Sequence, residues 1–243
     1  MRIAILSDIH SNAEAFNAVL LDIDSLDVST MISLGDNIGY GPDPNEVIHM
    51  LQEHHIHSVI GNHEIAILDK RFLALFNNSA RVALKVTEAM LTKNSLEYLK
   101  TLQHSYVNFG FRFVHGFPPE SVVIYLFQKS EPQLIKAISR LQESICFVGH
   151  THQLGMISWD EQTIDRRRLN PSENIIEINT TQKYIINVGS VGQPRDLNNK
   201  AKYVIMDTDK NYIEARFVEY DYQTTVNKIL KTGIPIQYAN FLL

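Results

Sequence analysis

The chain has 243 residues, 44% hydrophobic and 20% charged, the balance of an ordinary globular protein long enough to bury a sizeable core. A net charge of −5 supplies no global basic field for duplex nucleic acid and no polybasic anchor for a membrane, and a single cysteine, Cys146, excludes an intrachain disulfide. The opening apolar run Ile3–Leu6 is too short for the core of a secretory signal, and no stretch approaches the roughly 20 apolar residues that span a bilayer, so the expected location is the cytoplasm.

Arg2 to Leu6 reads as a strand buried on both faces. Asn12 to Leu26 places Ala15, Phe16, Val19, Leu20 and Ile23 at helical spacing, with Asn12 as N-cap. Thr30–Leu34 is a second strand, Pro44–Gln52 a second helix capped by Asp43, and Ser58–Ile60 a third strand. This alternation implies a parallel sheet with right-handed crossovers. Glu64–Gln103 reads as helical, with a capping box at Asn94–Glu97 and Leu96, Leu99 and Leu102 behind it. Arg112–His115 is a strand, Glu131–Leu141 an amphipathic helix, and Ile145–Val148 a strand; Cys146 within it is expected to be a buried core thiol. The strands expected after Met156 are Tyr184–Val188, Lys202–Met206 and Ile213–Val218, joined as antiparallel hairpins. Without a linker, repeat or low-complexity segment, residues 1–243 are expected to form one α/β domain.

Open parallel sheets bind ligands beyond the carboxyl ends of their strands. Five strands here run directly into polar motifs: SDIH with Asp8 and His10, GDNIGYG with Asp36, GNHE with Asn62 and His63, HG with His115, and GHTH with His150 and His152. Imidazole nitrogen and carboxylate oxygen without thiolate suit divalent manganese, iron, zinc, cobalt or nickel. Glycines at 35, 61, 116 and 149 permit close backbone approach where these ligands converge.

The ordered set DxH, GD, GNH, H and GHTH resembles the calcineurin-like metallophosphoesterase superfamily, over roughly Arg2 to Asp196. IGYGPDPNE at 38–46 and NVGSVGQPRD at 187–196 are similar to the small bacterial phosphoesterases of that group. The resemblance implies a four-layer αββα sandwich, two mixed sheets flanked by helices, with the site at the sheet edges. It implies two divalent transition metals, manganese, iron or zinc foremost and nickel or cobalt as substitutes. One would be held by Asp8, His10 and His152, the other by Asn62, His115 and His150, with Asp36 bridging. The resemblance also implies phosphoester hydrolysis by a metal-bridging hydroxide, with His63 as general acid or phosphate stabiliser.

One departure stands out. Ser/Thr protein phosphatases and symmetrical dinucleoside tetraphosphate hydrolases of the superfamily continue GD into an Asp-Arg pair, and Gly39 and Tyr40 occupy those positions here. This weakens the protein-phosphatase reading, and the leading expectation is a phosphodiesterase, with a protein or nucleotide phosphomonoesterase or a dinucleoside polyphosphate hydrolase as the alternative; the filled ligand positions and His63 stand against a non-catalytic binding module. The expected partner is a phosphorylated small molecule or nucleotide, with no membrane and no stable duplex nucleic acid; the oligomeric state is not legible. Arg195 is the candidate phosphate contact, and Tyr40 either stacks on substrate or packs its loop. The 64–103 and 158–182 regions are expected to shape the pocket. His54, His55 and His57 read as a solvated turn and Arg166–Arg168 as a solvated hairpin face. Asn187, Gly189 and Ser190 read equally as a turn or as a site where backbone approaches the metals.

Overall fold

The computed structural model describes residues 1–196 and 198–243. β1 (Arg2–Leu6) leads into α1 (Ala13–Asp24), β2 (Thr30–Ser33), α2 (Pro44–Glu53) and β3 (His57–Ser58). Helices α3 (Asn62–Leu68), α4 (Asn78–Met90) and α5 (Lys93–Leu99) come next, then strands β4 (Ser105–Asn108) and β5 (Phe111–Val114). After α6 (Glu131–Arg140) come β6 (Ile145–Val148), β7 (Leu154–Trp159), β8 (Ile164–Arg168) and β9 (Ile175–Glu177). β10 (Lys183–Val188), β11 (Ala201–Asp207), β12 (Tyr212–Val218), α7 (Tyr222–Ile229) and α8 (Gln237–Asn240) complete the chain.

The strands form two mixed six-stranded sheets, ordered β3-β2-β1-β11-β12-β9 and β4-β5-β6-β10-β7-β8. Side chains alternate along a strand, and both faces of β1 are covered, which explains why it is apolar from Ile3 to Leu6. Ile3 and Ile5 enter the core between the sheets, facing Phe113, Phe147 and Ile186, while Ala4 and Leu6 pack outward against Phe16, Val19 and Leu51 of α1 and α2. On the far side, Leu134 and Ile138 of α6 cover Cys146, Val148 and Ile185. The layers are therefore helix, sheet, sheet, helix, as the resemblance implies, and Cys146 is fully buried.

Several local expectations change. β10 pairs in parallel with β6 and antiparallel with β7, so β10 and β11 lie in different sheets and form no hairpin; β11 and β12 do. The 64–103 region is not one helical run. The Asp69 carboxylate accepts from Arg71 N–H, and the Asn77 side chain accepts from Ala80 N–H, restarting the helix as α4. α5 is capped by Thr92 rather than Asn94, because Thr92 Oγ1 accepts from Ser95 N–H while Asn45 Oδ1 accepts from Thr92 N–H and Ser95 Oγ. Asn12 caps α1 as expected, accepting from Ala15 N–H at 3.1 Å. Asp43 occupies the cap position of α2 but makes no side-chain cap bond; its carboxylate takes Lys228 Nζ at 2.9 Å. The third strand is His57–Ser58, with Val59 in an isolated bridge to Gln103. β4 has no clear apolar alternation and escapes a sequence reading. Among the described residues, no helix is long and apolar enough to cross a membrane.

Phe147 is fully buried, stacked on Phe113 at 5.5 Å and edge-on to Phe111 at 5.7 Å. Phe147→Ala leaves a void where the two sheets meet and is expected to lower unfolding stability by about 3–5 kcal/mol in urea titration. A loss below about 1 kcal/mol would mean that the inter-sheet core is not packed as described.

Candidate metal centre

The carboxyl ends of β1, β2 and β3 in one sheet and of β5 and β6 in the other meet at one polar edge. Asp8, His10, Asp36, Asn62, His63, His115, His150 and His152 all converge there, and all are buried. Potential ligand atoms fall within 4.8 Å of one another in three groups: Asp8, His10 and His152; His10, Asp36 and His63; Asp36, His115 and His150.

Backbone carbonyls fix three of the imidazoles. His10 Nδ1 lies 3.1 Å from Ile38 O, His115 Nδ1 2.9 Å from Leu34 O, and His152 Nδ1 2.5 Å from Gln193 O. A carbonyl only accepts, so each Nδ1 carries the hydrogen and each neutral ring presents a lone pair at Nε2. Those lone pairs face each other and other acceptors. His10 Nε2 is 3.1 Å from His152 Nε2, and Asp8 Oδ1, without a hydrogen-bond partner, is 3.2 Å from His152 Nε2. His115 Nε2 is 2.9 Å from Asn62 Oδ1, 3.1 Å from His150 Nδ1 and 3.3 Å from Asp36 Oδ2. Buried acceptors aimed at one another are costly unless a cation lies between them, and this donor set fits divalent metal ions.

Burial pushes His150 down to about 3 and His152 to about 4, which favours their neutral, lone-pair-bearing forms, and it holds His63 well below the usual imidazole range. His115 goes the other way. Burial alone would lower it, but the Asp36 carboxylate raises it to about 9, a sign that positive charge is favoured at its Nε2. Burial would raise Asp8, yet the imidazoles of His152 and His10 beside it hold it well below the carboxylate range.

The supporting backbone is strained. Asp8, His10, Asp36, His150 and His152 have φ of 54°, 49°, 51°, 67° and 59°, the left-handed region that non-glycine residues avoid at a cost on the order of 1 kcal/mol each. Two glycines admit the close approach expected of them: a Cβ on Gly61 would overlap the Asp36 carboxylate, and one on Gly149 would overlap Ser7 Oγ. The 187–192 segment is more than a turn. Asn187 Nδ2 donates to Gly149 O and Thr151 Oγ1, and Ser190 Oγ donates to Asp8 O, tying both metal-side loops down.

Glu64 is a residue the motif reading passed over. It is fully buried, and its two oxygens accept from the backbone N–H of Asp36, Asn37, Ile38 and Gly61 at 2.6–3.2 Å. It thereby clamps the Asp36 loop to the start of α3, while His63 N–H donates to Asp36 Oδ1 at 2.8 Å. Burial and the nearby Asp36 carboxylate raise Glu64 to about 7, against the pull of four N–H donors that only an acceptor can satisfy.

The centre opens into a cavity of about 330 Å³. Tyr40 and Arg195 line it, with Asp36, Asn62, His63, His150 and His152 of the centre and Leu75, Phe76, Asn77 and Ala80 from the 64–103 region. Among the described residues, none from 158–182 lines it; the remaining wall is Val123, Tyr125, Gln237, Tyr238 and Phe241. Tyr125 stacks on His150 at 3.7 Å and Tyr238 on Tyr40 at 4.3 Å, neither carrying any motif in the sequence. Tyr40 thus both packs its loop and faces the cavity. His54, His55 and His57 are all exposed and outside the centre, but His57 belongs to β3 rather than to a turn, with its ring 3.8 Å from Tyr106.

Residues 1–211 match the calcineurin-like phosphoesterase superfamily domain, and the chain belongs to that superfamily: it is a metal-dependent phosphoester hydrolase. An uncharacterized protein of Methanocaldococcus jannaschii is 36% identical over 238 residues, 96% of this chain and 93% of that protein. The crystal structure of a metallophosphoesterase from Sphaerobacter thermophilus aligns with a TM-score of 0.86 and 32% identity, over 100% of this chain and 98% of that one. A Pyrococcus horikoshii structure shares the fold at TM-score 0.79 and 19% identity, over 99% of this chain and 97% of that one.

Glu64→Gln sets an amide NH2 against backbone donors. It is expected to cost about 1–3 kcal/mol in unfolding stability and to weaken manganese binding in calorimetry, because the Asp36 loop is no longer pinned. Unchanged stability together with unchanged metal affinity would remove Glu64 from the supporting structure.

Proposed function

We propose that the chain is a binuclear phosphodiesterase. The observation that carries the binuclear reading is the pair of lone-pair clusters on either side of Asp36. Asp8, His10 and His152 would hold one divalent ion and Asn62, His115 and His150 the other, with Asp36 shared. Ions bound there would supply Lewis acidity toward the phosphoryl oxygens and activate a water for in-line attack. The donors are those that manganese, iron and zinc accept, and the absence of thiolate leaves cobalt and nickel as substitutes.

The remaining roles fall to the chain's own side chains. His63 Nε2 lies 3.9 Å from Asp36 Oδ2 and its ring lines the cavity, where it can pass a proton to the leaving oxygen or hold an equatorial one. His63 Nδ1 is buried without a partner among the described residues, and a Cβ on Gly39 would overlap it, so no carboxylate at that position orients the ring. Orientation comes instead from packing: Tyr40 at 4.3 Å and Phe76 at 5.1 Å both meet the ring edge-on.

The diester preference rests on charge and shape. Arg195 is the one cationic side chain of Lys or Arg type among the described lining residues, and it sits 6.0 Å from the Tyr40 ring centre. A monoanionic diester needs less countercharge than a dianionic monoester, and aromatic walls on two sides can hold both ester arms. A phosphorylated small molecule or nucleotide is the substrate class this favours.

After metal stripping and manganese addition, bis-nitrophenyl phosphate is expected to turn over faster than mono-nitrophenyl phosphate; the reverse order would make the protein a phosphomonoesterase. Asp36→Asn should remove both ions and nearly all activity, and unchanged metal content would defeat the shared-ligand assignment. His63→Ala should keep the metal and slow turnover, least with nitrophenolate as leaving group, because that oxygen needs little protonation. An equal loss across leaving groups would assign His63 to electrostatic stabilisation.

A further inference from the structure

We infer that the outer face of the second sheet carries a second substrate subsite, taking the next phosphate and base of a short single-stranded oligonucleotide whose scissile diester lies in the metal cavity; this rests on the phosphodiesterase reading. The subsite is a groove of about 340 Å³ on the β7–β8 hairpin. Arg166 lies opposite Ile157 and Arg168 opposite Gly155, and opposite residues of an antiparallel pair share a face. Ile157 packs in the outer cluster beneath α6, so Arg166 and Arg168 stand on that outer face, two residues or roughly 6.5 Å apart. Arg167 points to the other face and pairs with Glu173 at 3.1 Å. Among the described residues, no acid pairs with Arg166 or Arg168, and both are exposed.

The opposite wall of the groove is Phe127, 70% exposed, and the floor includes Ile157, Ile185 and Asn187. Thr151 and Gln153, from the loop that carries His150 and His152, form the end nearest the metal centre. An aromatic stack joins the two cavities. His150 lies 3.7 Å from Tyr125 with the rings 15° apart, and Tyr125 lies 4.9 Å from Phe127 at 21°. Tyr125 lines the metal cavity and Phe127 the groove, so the stacked pair of rings links one to the other.

Cations on an edge strand also discourage strand pairing between molecules, which accounts for arginine on β8 but not for the groove or the stack that leads to it. Unpaired guanidinium groups facing an exposed ring are the two elements that bind single strands: charge along the backbone and a platform for a base. The net negative charge of the chain makes this local patch a means of accepting a short strand without drawing in duplex.

The test uses manganese-loaded protein and a fluorescein-labelled, phosphorothioate-linked tetrathymidylate, monitored by fluorescence anisotropy. The double variant Arg166→Ala/Arg168→Ala is expected to bind at least tenfold more weakly, with the salt slope reduced by about 1.4 for two lost phosphate contacts. Phe127→Ala should lose about tenfold and Phe127→Trp should retain binding. The ratio of kcat/KM for tetrathymidylate over bis-nitrophenyl phosphate should fall by a similar factor in the double variant. Binding within twofold of the native chain, or equal competition by an acidic aromatic tetrapeptide, would overturn the subsite. Arginine-dependent binding without any diester turnover by the native chain would support the groove and sink the phosphodiesterase reading. Diester turnover with arginine-independent binding would do the opposite.

Discussion

Three backbone carbonyls decide the chemistry of this molecule. Ile38, Leu34 and Gln193 each hold one imidazole by its Nδ1 hydrogen, which turns the Nε2 lone pairs of His10, His115 and His152 inward. Behind those lone pairs stand the oxygens of Asp8, Asp36 and Asn62. An acceptor cluster of this kind, buried away from water, is unfavourable by itself and becomes favourable around cations. The tautomers are set by the fold before any ligand arrives, so the site is organised in advance of binding.

The same constraint explains why the two sheets end where they do. Asp8, His10, Asp36 and Asn62 come after strands of the first sheet; His115, His150 and His152 come after strands of the second. Two of the three groups draw on both sheets, Asp8 and His10 with His152, and Asp36 with His115 and His150. Cations there would cross-link the sheets above the Phe113–Phe147 core, linking metal binding to stability through mass action. Left-handed backbone at five candidate ligand positions is the conformational cost of bringing them so close, and the Glu64 clamp together with the Ser190 and Asn187 bonds holds those loops against relaxation.

Much of this was legible in the sequence, for identifiable reasons. β1 from Ile3 onward and β6 are short apolar runs that lead straight into polar residues, and burial on both faces makes such runs easy to recognise. Motifs placed directly after strands named the metal-side residues that the fold brings together. Glu64 was hidden because a glutamate one residue after His63 reads as ordinary helix N-terminal chemistry, and only the structure reveals four backbone donors converging on it. Tyr125 and Tyr238 were hidden because stacking on His150 and Tyr40 is a tertiary event with no period or spacing. The hairpin expected between β10 and β11 failed for a related reason: neighbouring strands in sequence can join different sheets, and nothing in a local pattern reports which.

The central claim is that carbonyl-fixed tautomers aim Nε2 of His10, His115 and His152 at metal ions. The direct measurement is nitrogen NMR of histidine-labelled protein during zinc titration of the metal-stripped chain. Two equivalents of zinc should move the Nε2 resonances of those three rings, while each Nδ1 stays protonated at its carbonyl. Saturation with both nitrogens unmoved, or movement at Nδ1 instead, would contradict the account.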